Sequence, residues 1–232
     1  MKIAVPNYSG NVGKTTVARH LLLPRMPDAQ LVNIESINAD EAQGDALKGK
    51  DFAQLQEFLL STGSAVVDVG ASNIEDLLSL MKRYEGSHED FDYFVIPCVP
   101  AKKHQADTVA TLVGLSKMGA PHDRVRVVFN QVEEVDEVAQ TFAAVLQFAK
   151  QEGFDAVTPN CAISTNEIFQ RLRGSADSIA KLAADATDYK ALIARKTDQS
   201  KKIDLANHLA TKRLAAGIAP ELEACFEALA LK

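Results

Sequence analysis

The chain is short of the features that would tie it to a membrane, a metal cage or a nucleic-acid scaffold. Its only cysteines are Cys98, Cys161 and Cys225, far apart and without pairwise metal-ligand spacing. Their odd number, with no secretory leader ahead of them, leads us to expect a reducing cytoplasm in which they act as small buried hydrophobes. No apolar run approaches the roughly 20 residues that cross a bilayer, so stable membrane insertion is not expected. Peripheral attachment through the C-terminal segment is disfavoured as well, because Glu221, Glu223 and Glu227 carry the wrong sign for an anionic surface. Positive charge is scarce overall: the formal net charge is -6 and the pI about 5.4, which argues against wholesale wrapping by DNA or RNA. Repeats and low-complexity tracts are missing too. What remains is a chain of 232 residues, 47% hydrophobic and 24% charged, enough for one sizeable α/β domain.

Against that background one stretch stands out, Ser9-Gly10-Asn11-Val12-Gly13-Lys14-Thr15-Thr16, which is separated by three residues from the apolar run Ile3-Ala4-Val5 before it. It reads as a phosphate-binding loop. Converging backbone N–H groups, a tight glycine turn and a helix N-terminus are what a triphosphate needs. Gly10 and Gly13 supply the turn, Lys14 reaches the β and γ phosphates, and the Thr15 hydroxyl can coordinate a bridging magnesium ion. The first glycine of the full signature is absent, since Tyr8 stands five residues before Gly13. Further on, Ser64-Ala65-Val66-Val67-Asp68-Val69-Gly70 is a small-apolar strand ending in a carboxylate and then a glycine, the Walker B arrangement, with Asp68 as the second magnesium ligand.

Apolar runs and turn residues place the other elements. Strands are expected over 2–6, 30–34, 64–70, 93–97, 125–130 and a final region with 156–158 and 161–163; helices over 15–23, 51–61, 73–84, 105–117 and 135–152. Pro97 is expected to lead the fourth strand out of the sheet. From Asn166 onward the chain reads as helical, with Gly217 and Pro220 separating the last two segments. The alternation implies a doubly wound, mainly parallel, Rossmann-like α/β sheet over 1–175 and a helical extension over 176–232 packed on the same domain. Ligands in such sheets lie at the carboxyl ends of strands, where Glu35, Asp68 and Asn130 are expected. Asn130 there can offer a donor and an acceptor to the edge of a purine base. The basic pairs Arg195-Lys196, Lys201-Lys202 and Lys212-Arg213 read as a solvated face or as a weak DNA- or partner-contacting surface.

With phosphate loop, Walker B aspartate and strand-end asparagine in this order, residues 1 to about 175 resemble the ParA/MinD family of deviant Walker ATPases. The opening stretch, through Val17-Ala18-Arg19-His20, most resembles plasmid stability proteins of the StbB type within that family. The resemblance implies ATP and Mg2+ as cofactors, with Ser9, Gly10, Asn11, Val12, Gly13, Lys14, Thr15, Thr16 and Asn130 holding nucleotide. Lys14, Asp68 and Glu35 would be catalytic, and Thr15 and Asp68 would hold the metal. It further implies a homodimer, a plasmid-encoded DNA-binding partner protein and a switch role in plasmid stability, segregation or conjugation. The family loop begins with a signature lysine, where this chain has Ser9, and the family has a second acidic position after the second strand, where this chain has Ile37; both replacements point to slow ATP hydrolysis. A GTPase, suggested by Asn130-Gln131-Val132-Glu133, a small-molecule kinase and a non-hydrolysing scaffold stay open as alternatives.

Overall fold

Residues buried on both sides of a strand leave no room for polar alternation, and that is the pattern observed: Ile3, Ala4, Val5, Val66, Val67, Val95, Ile96, Val127 and Val128 are all 0% exposed. The computed structural model describes residues 1–34, 49–134, 137–175 and 177–232. Among them are the strands β1 (Lys2–Val5), β2 (Gln30–Asn33), β3 (Ala65–Asp68), β4 (Tyr93–Cys98), β5 (Val125–Val132) and β6 (Ala162–Ser164). They form one sheet in the order β2-β3-β1-β4-β5-β6, every neighbouring pair parallel. This is the doubly wound α/β fold, and its strand order reverses around β1.

Helices cover both faces. On one side α2 (Gly49–Ser61), α3 (Ile74–Arg83), α4 (Lys102–Met118), α5 (Val138–Thr141) and α6 (Ala143–Gln151) close a core containing Phe52, Leu77, Phe94, Leu112, Phe129 and Phe142. On the other side α1 (14–25), α7 (Ile168–Arg171), α8 (Ile179–Ala183) and the C-terminal half of α10 (Gln199–Ala228) bury Leu21, Leu22, Ile168, Ile218 and Leu222 against Ile3, Val5, Val95 and Val128. The short α9 (Tyr189–Ala194) packs beside the first half of α10. The three cysteines are free and buried; burial pushes the Cys98 thiol up to about 11 and those of Cys161 and Cys225 upward as well.

Several elements depart from the sequence-based expectation, each for a local reason. Helix α1 starts as an α-helix at Lys14, widens into a π-helical turn over Val17–Leu22 and ends in a 3-10 turn at Leu23–Arg25. The wide turn lets Leu23 N–H reach Ala18 O, and Pro24 then has no donor for the next carbonyls. Arg25 takes them instead, its Nη1 donating to His20 O at 3.2 Å and Leu21 O at 2.9 Å. Pro97 stays inside β4, paired with Val128; the register pairs between β1 and β4 end at Ala4 and Phe94, so its missing N–H interrupts no ladder on that side. The expected 135–152 helix is divided at Phe142, whose φ of -110° and ψ of 24° break the helical path; residues 135 and 136 lie outside the described residues. Residues 156–158 are not strand, and β6 is confined to Ala162–Ser164.

The largest correction concerns the C-terminus. Gly217 and Pro220 do not separate two helices: α10 runs unbroken through both. A proline inside a helix costs about 3 kcal/mol. Burying Ile218 and Leu222, each 1% exposed, contributes roughly 1.5–3 kcal/mol per side chain and outweighs it. Polar anchors add to the docking. Glu221 accepts hydrogen bonds from the Ser164 N–H and, at 2.8 Å, from the Ser164 hydroxyl. Buried Arg126 donates to Leu229 O at 2.6 Å while lying over the Tyr93 ring.

Candidate functional site

The register of the sheet decides what meets the loop after β1. Val5, the last residue of β1, is paired with Asp68, the last of β3, so two segments separated by some sixty positions emerge side by side at the carboxyl edge. Thr15 Oγ1 donates to Asp68 Oδ2 at 2.7 Å. Lys14 is 8% exposed, and its Nζ donates to Ser9 O at 2.7 Å and, at 3.4 Å, to Asn7 O. The loop's tight turn uses left-handed backbone at Asn11 (φ 58°) and Gly13 (φ 88°), conformations that asparagine tolerates and glycine adopts freely. At Gly13 glycine is required twice over, because a Cβ would stand 2.1 Å from Asn130 Nδ2.

Around this loop lies a cleft of about 780 Å³, within the range of small-molecule sites. Gly10, Asn11, Gly13, Lys14, Thr15, Thr16 and Asp68, all expected from the sequence, line it. Ser9, Val12 and Asn130 do not. Ser9 is 4% exposed and Val12 0%, and Asn130 lies under the loop, 2% exposed, its Nδ2 donating to Val12 O at 2.9 Å. The structure thus gives Asn130 a brace function toward the loop. Glu35 and Ile37 lie outside the described residues.

Other lining residues carried no motif. Arg19 and His20 follow Thr16 on α1, one turn further along the cleft, and helical spacing from Thr16 was the signal that could have found them. Asn33 closes the β2 end, in register with Asp68. Gln131 is held left-handed at φ 56° where β5 slips register against β6, and its Nε2 reaches Asn11 O at 3.3 Å. The far wall is Phe169, Gln170 and Leu172 to Ser175, in and after α7, with no local sequence signature. His20 packs its ring on Phe169 with centroids 5.8 Å apart; burial first, and the neighbouring Arg19 second, hold its imidazole below the ordinary range. Among the described lining residues, Lys14, Arg19 and Arg173 set positive charge around one carboxylate, that of Asp68, a field suited to an anionic ligand.

No family model matches the sequence, and no curated protein matches it. The fold is a doubly wound parallel α/β fold with a glycine loop leading into a helix at the carboxyl edge of its sheet. Solved structures share that architecture: apo McdA of Cyanothece, at 15% identity and a TM-score of 0.51, covers 93% of this chain and 99% of its own. A complex of an aspartate-to-alanine variant of the same protein with ATP, at 15% identity and a TM-score of 0.50, covers 96% of each chain. At that identity the likeness is one of fold.

Proposed function

We propose that this protein binds Mg-ATP at the carboxyl edge of β1 and β3 and works as a ParA/MinD-like nucleotide-dependent switch that hydrolyses ATP slowly. The observation that carries the reading is the meeting of Thr15 and Asp68 at 2.7 Å beside Lys14 and the start of α1. Backbone amides from Gly10 to Thr15 bind phosphate oxygens, Lys14 neutralises their charge, and Thr16 adds a hydroxyl. Asn130 holds the loop from below, and the His20 and Phe169 rings offer an apolar wall to a base. The Thr15 hydroxyl and Asp68 carboxylate are hard oxygen donors of the kind magnesium takes. Among the described residues no group of three or more His, Cys, Asp or Glu could hold a metal, so these two would share the ion with phosphate oxygens. Magnesium, when bound, supplies a Lewis acid that neutralises charge developing on the phosphates.

Slow turnover follows from Ser9 at the signature lysine position and Ile37 at the second acidic position, which leave less positive charge and no second carboxylate to orient water; Glu35 keeps the first acidic role. The resemblance in the opening stretch supports plasmid stability, segregation or conjugation as the setting, in the cytoplasm, with a homodimer and a plasmid-encoded DNA-binding protein as partners. DNA contact by this chain is weak or indirect. The ATP complex of McdA supports the ligand assignment as an example of ATP held by this architecture.

Titration of the full chain with a fluorescent ATP analogue and Mg2+ tests the reading. Lys14→Ala should weaken binding by at least about 100-fold, the loss of charge-assisted bonds worth about 3 kcal/mol. Wild-type affinity in that variant would sink the assignment. Competition with GTP decides the nucleotide, and phosphate release with and without DNA measures the turnover.

A further inference from the structure

Asn7 and Tyr8, which lead into the phosphate loop, and Ser9, its first residue, are hydrogen-bonded to one stripe of α4. Asn7 Nδ2 donates to Thr108 Oγ1 at 3.0 Å and to Pro97 O at 2.8 Å. The Tyr8 N–H donates to Thr111 Oγ1 at 3.2 Å. Ser9 Oγ donates to Asp107 Oδ2 and lies 2.7 Å from His104 Nδ1. His104, Asp107, Thr108 and Thr111 are spaced i, i+3, i+4, i+7, a single helical face. Asn7, Thr108 and Thr111 are 0% exposed and Ser9 4%. An inward helical stripe is ordinarily apolar, so this polar one demands an account. The threonines are themselves oriented, Thr108 Oγ1 donating to His104 O and Thr111 Oγ1 to Asp107 O, each at 2.8 Å. Their lone pairs are thereby aimed at the segment before the loop.

The hydrogen-bond roles around Ser9 constrain the histidine tautomer. An ionised Asp107 can only accept, so the one Ser9 hydroxyl proton goes to it. Ser9 Oγ must then accept from His104, which places a proton on Nδ1. The same Ser9 presents its carbonyl to Lys14 Nζ at 2.7 Å, while its N–H is held by Asn7 Oδ1 at 2.7 Å. We propose that His104 and Asp107 are positioning residues of the nucleotide site, acting through Ser9 to set the loop backbone that receives Lys14. This rests on the nucleotide reading above. Helix α4 is therefore part of the phosphate-binding apparatus although none of its residues lines the cleft.

Two measurements on the full-length chain test it. Nitrogen-15 NMR of the imidazoles should find His104 protonated at Nδ1 in the wild type, and Ser9→Ala should release that preference while Ser9→Thr keeps it. In titrations with Mg2+ and the ATP analogue, His104→Ala should weaken binding about tenfold, one hydrogen bond's worth. Made on top of Ser9→Ala, it should have no further effect, because the route through Ser9 is already cut. His104 protonated at Nε2 alone, or a His104→Ala effect equal in both backgrounds, overturns the proposal. If Lys14→Ala loses nucleotide while His104→Ala binds like the wild type, this inference falls and the nucleotide reading stands. If the wild type itself binds no nucleotide, both fall.

Discussion

Replacing Gly13 by alanine tests the geometry of the loop most directly. The backbone there sits at φ 88°, and a Cβ would come within 2.1 Å of Asn130 Nδ2 and 3.3 Å of its Cγ. An L-residue held left-handed costs about 1–2 kcal/mol. The clash adds a second cost, because Asn130 must leave its 2.9 Å bond to Val12 O and strand a buried amide, at about 1–3 kcal/mol. Together Gly13→Ala should lose about 2–5 kcal/mol, against a total stability of order 5–15 kcal/mol for a domain. Urea unfolding followed by circular dichroism reads this directly. The decisive arm is a double-mutant cycle: in an Asn130→Ala background the clash is gone, so Gly13→Ala should cost only the backbone share, leaving a coupling of about 1–3 kcal/mol. Gly10→Ala is the internal control, since a Cβ there meets nothing within 4 Å, and it should stay within about 0.5 kcal/mol of the wild type. Equal costs of Gly13→Ala in both backgrounds would refute the placement of Asn130 beneath the loop.

Two other perturbations follow from the fold. Pro220 is exposed and inside α10, so Pro220→Ala should stabilise the chain by about 1–3 kcal/mol in urea unfolding; no gain would mean that the helix is not continuous there. His20 is held below its ordinary value of 6.5 chiefly by burial. The unfolded chain then binds a proton more readily, so this contribution is complete above about pH 6.5 and is lost as pH falls from there through the folded value. His20→Gln should flatten the loss of stability between pH 7 and pH 5.5, and an unchanged profile would show that the ring is solvated.

The legible parts of this protein were those whose geometry is set within a short stretch. β1, the loop and the start of α1 follow from Ile3 to Thr16 because a buried strand, a glycine turn and a helix start are each specified by adjacent residues. Asp68 was legible as a strand-end carboxylate, but its partnership with Thr15 depends on β3 lying next to β1, which depends on strand order. Pro220 misled because helix propensity is a local cost, whereas Ile218, Leu222, Glu221 and Arg126 act across the sheet. Asn130 was legible as a residue at the ligand edge, while its place beneath Gly13 was not.

By itself, then, the amino-acid sequence determined the class of sheet, the glycine turn after β1 and the charge that this loop offers, since these rest on hydrophobic period, backbone freedom and residue chemistry within a few positions. Tertiary structure alone decided what surrounds that loop. Ser9 meets His104 and Asp107 across separations of 95 and 98 residues, and the far wall of the cleft arrives from Phe169 onward. Contacts of that span are set by the order in which strands pack and by the entropy lost in closing long loops, quantities that no local pattern of side chains records.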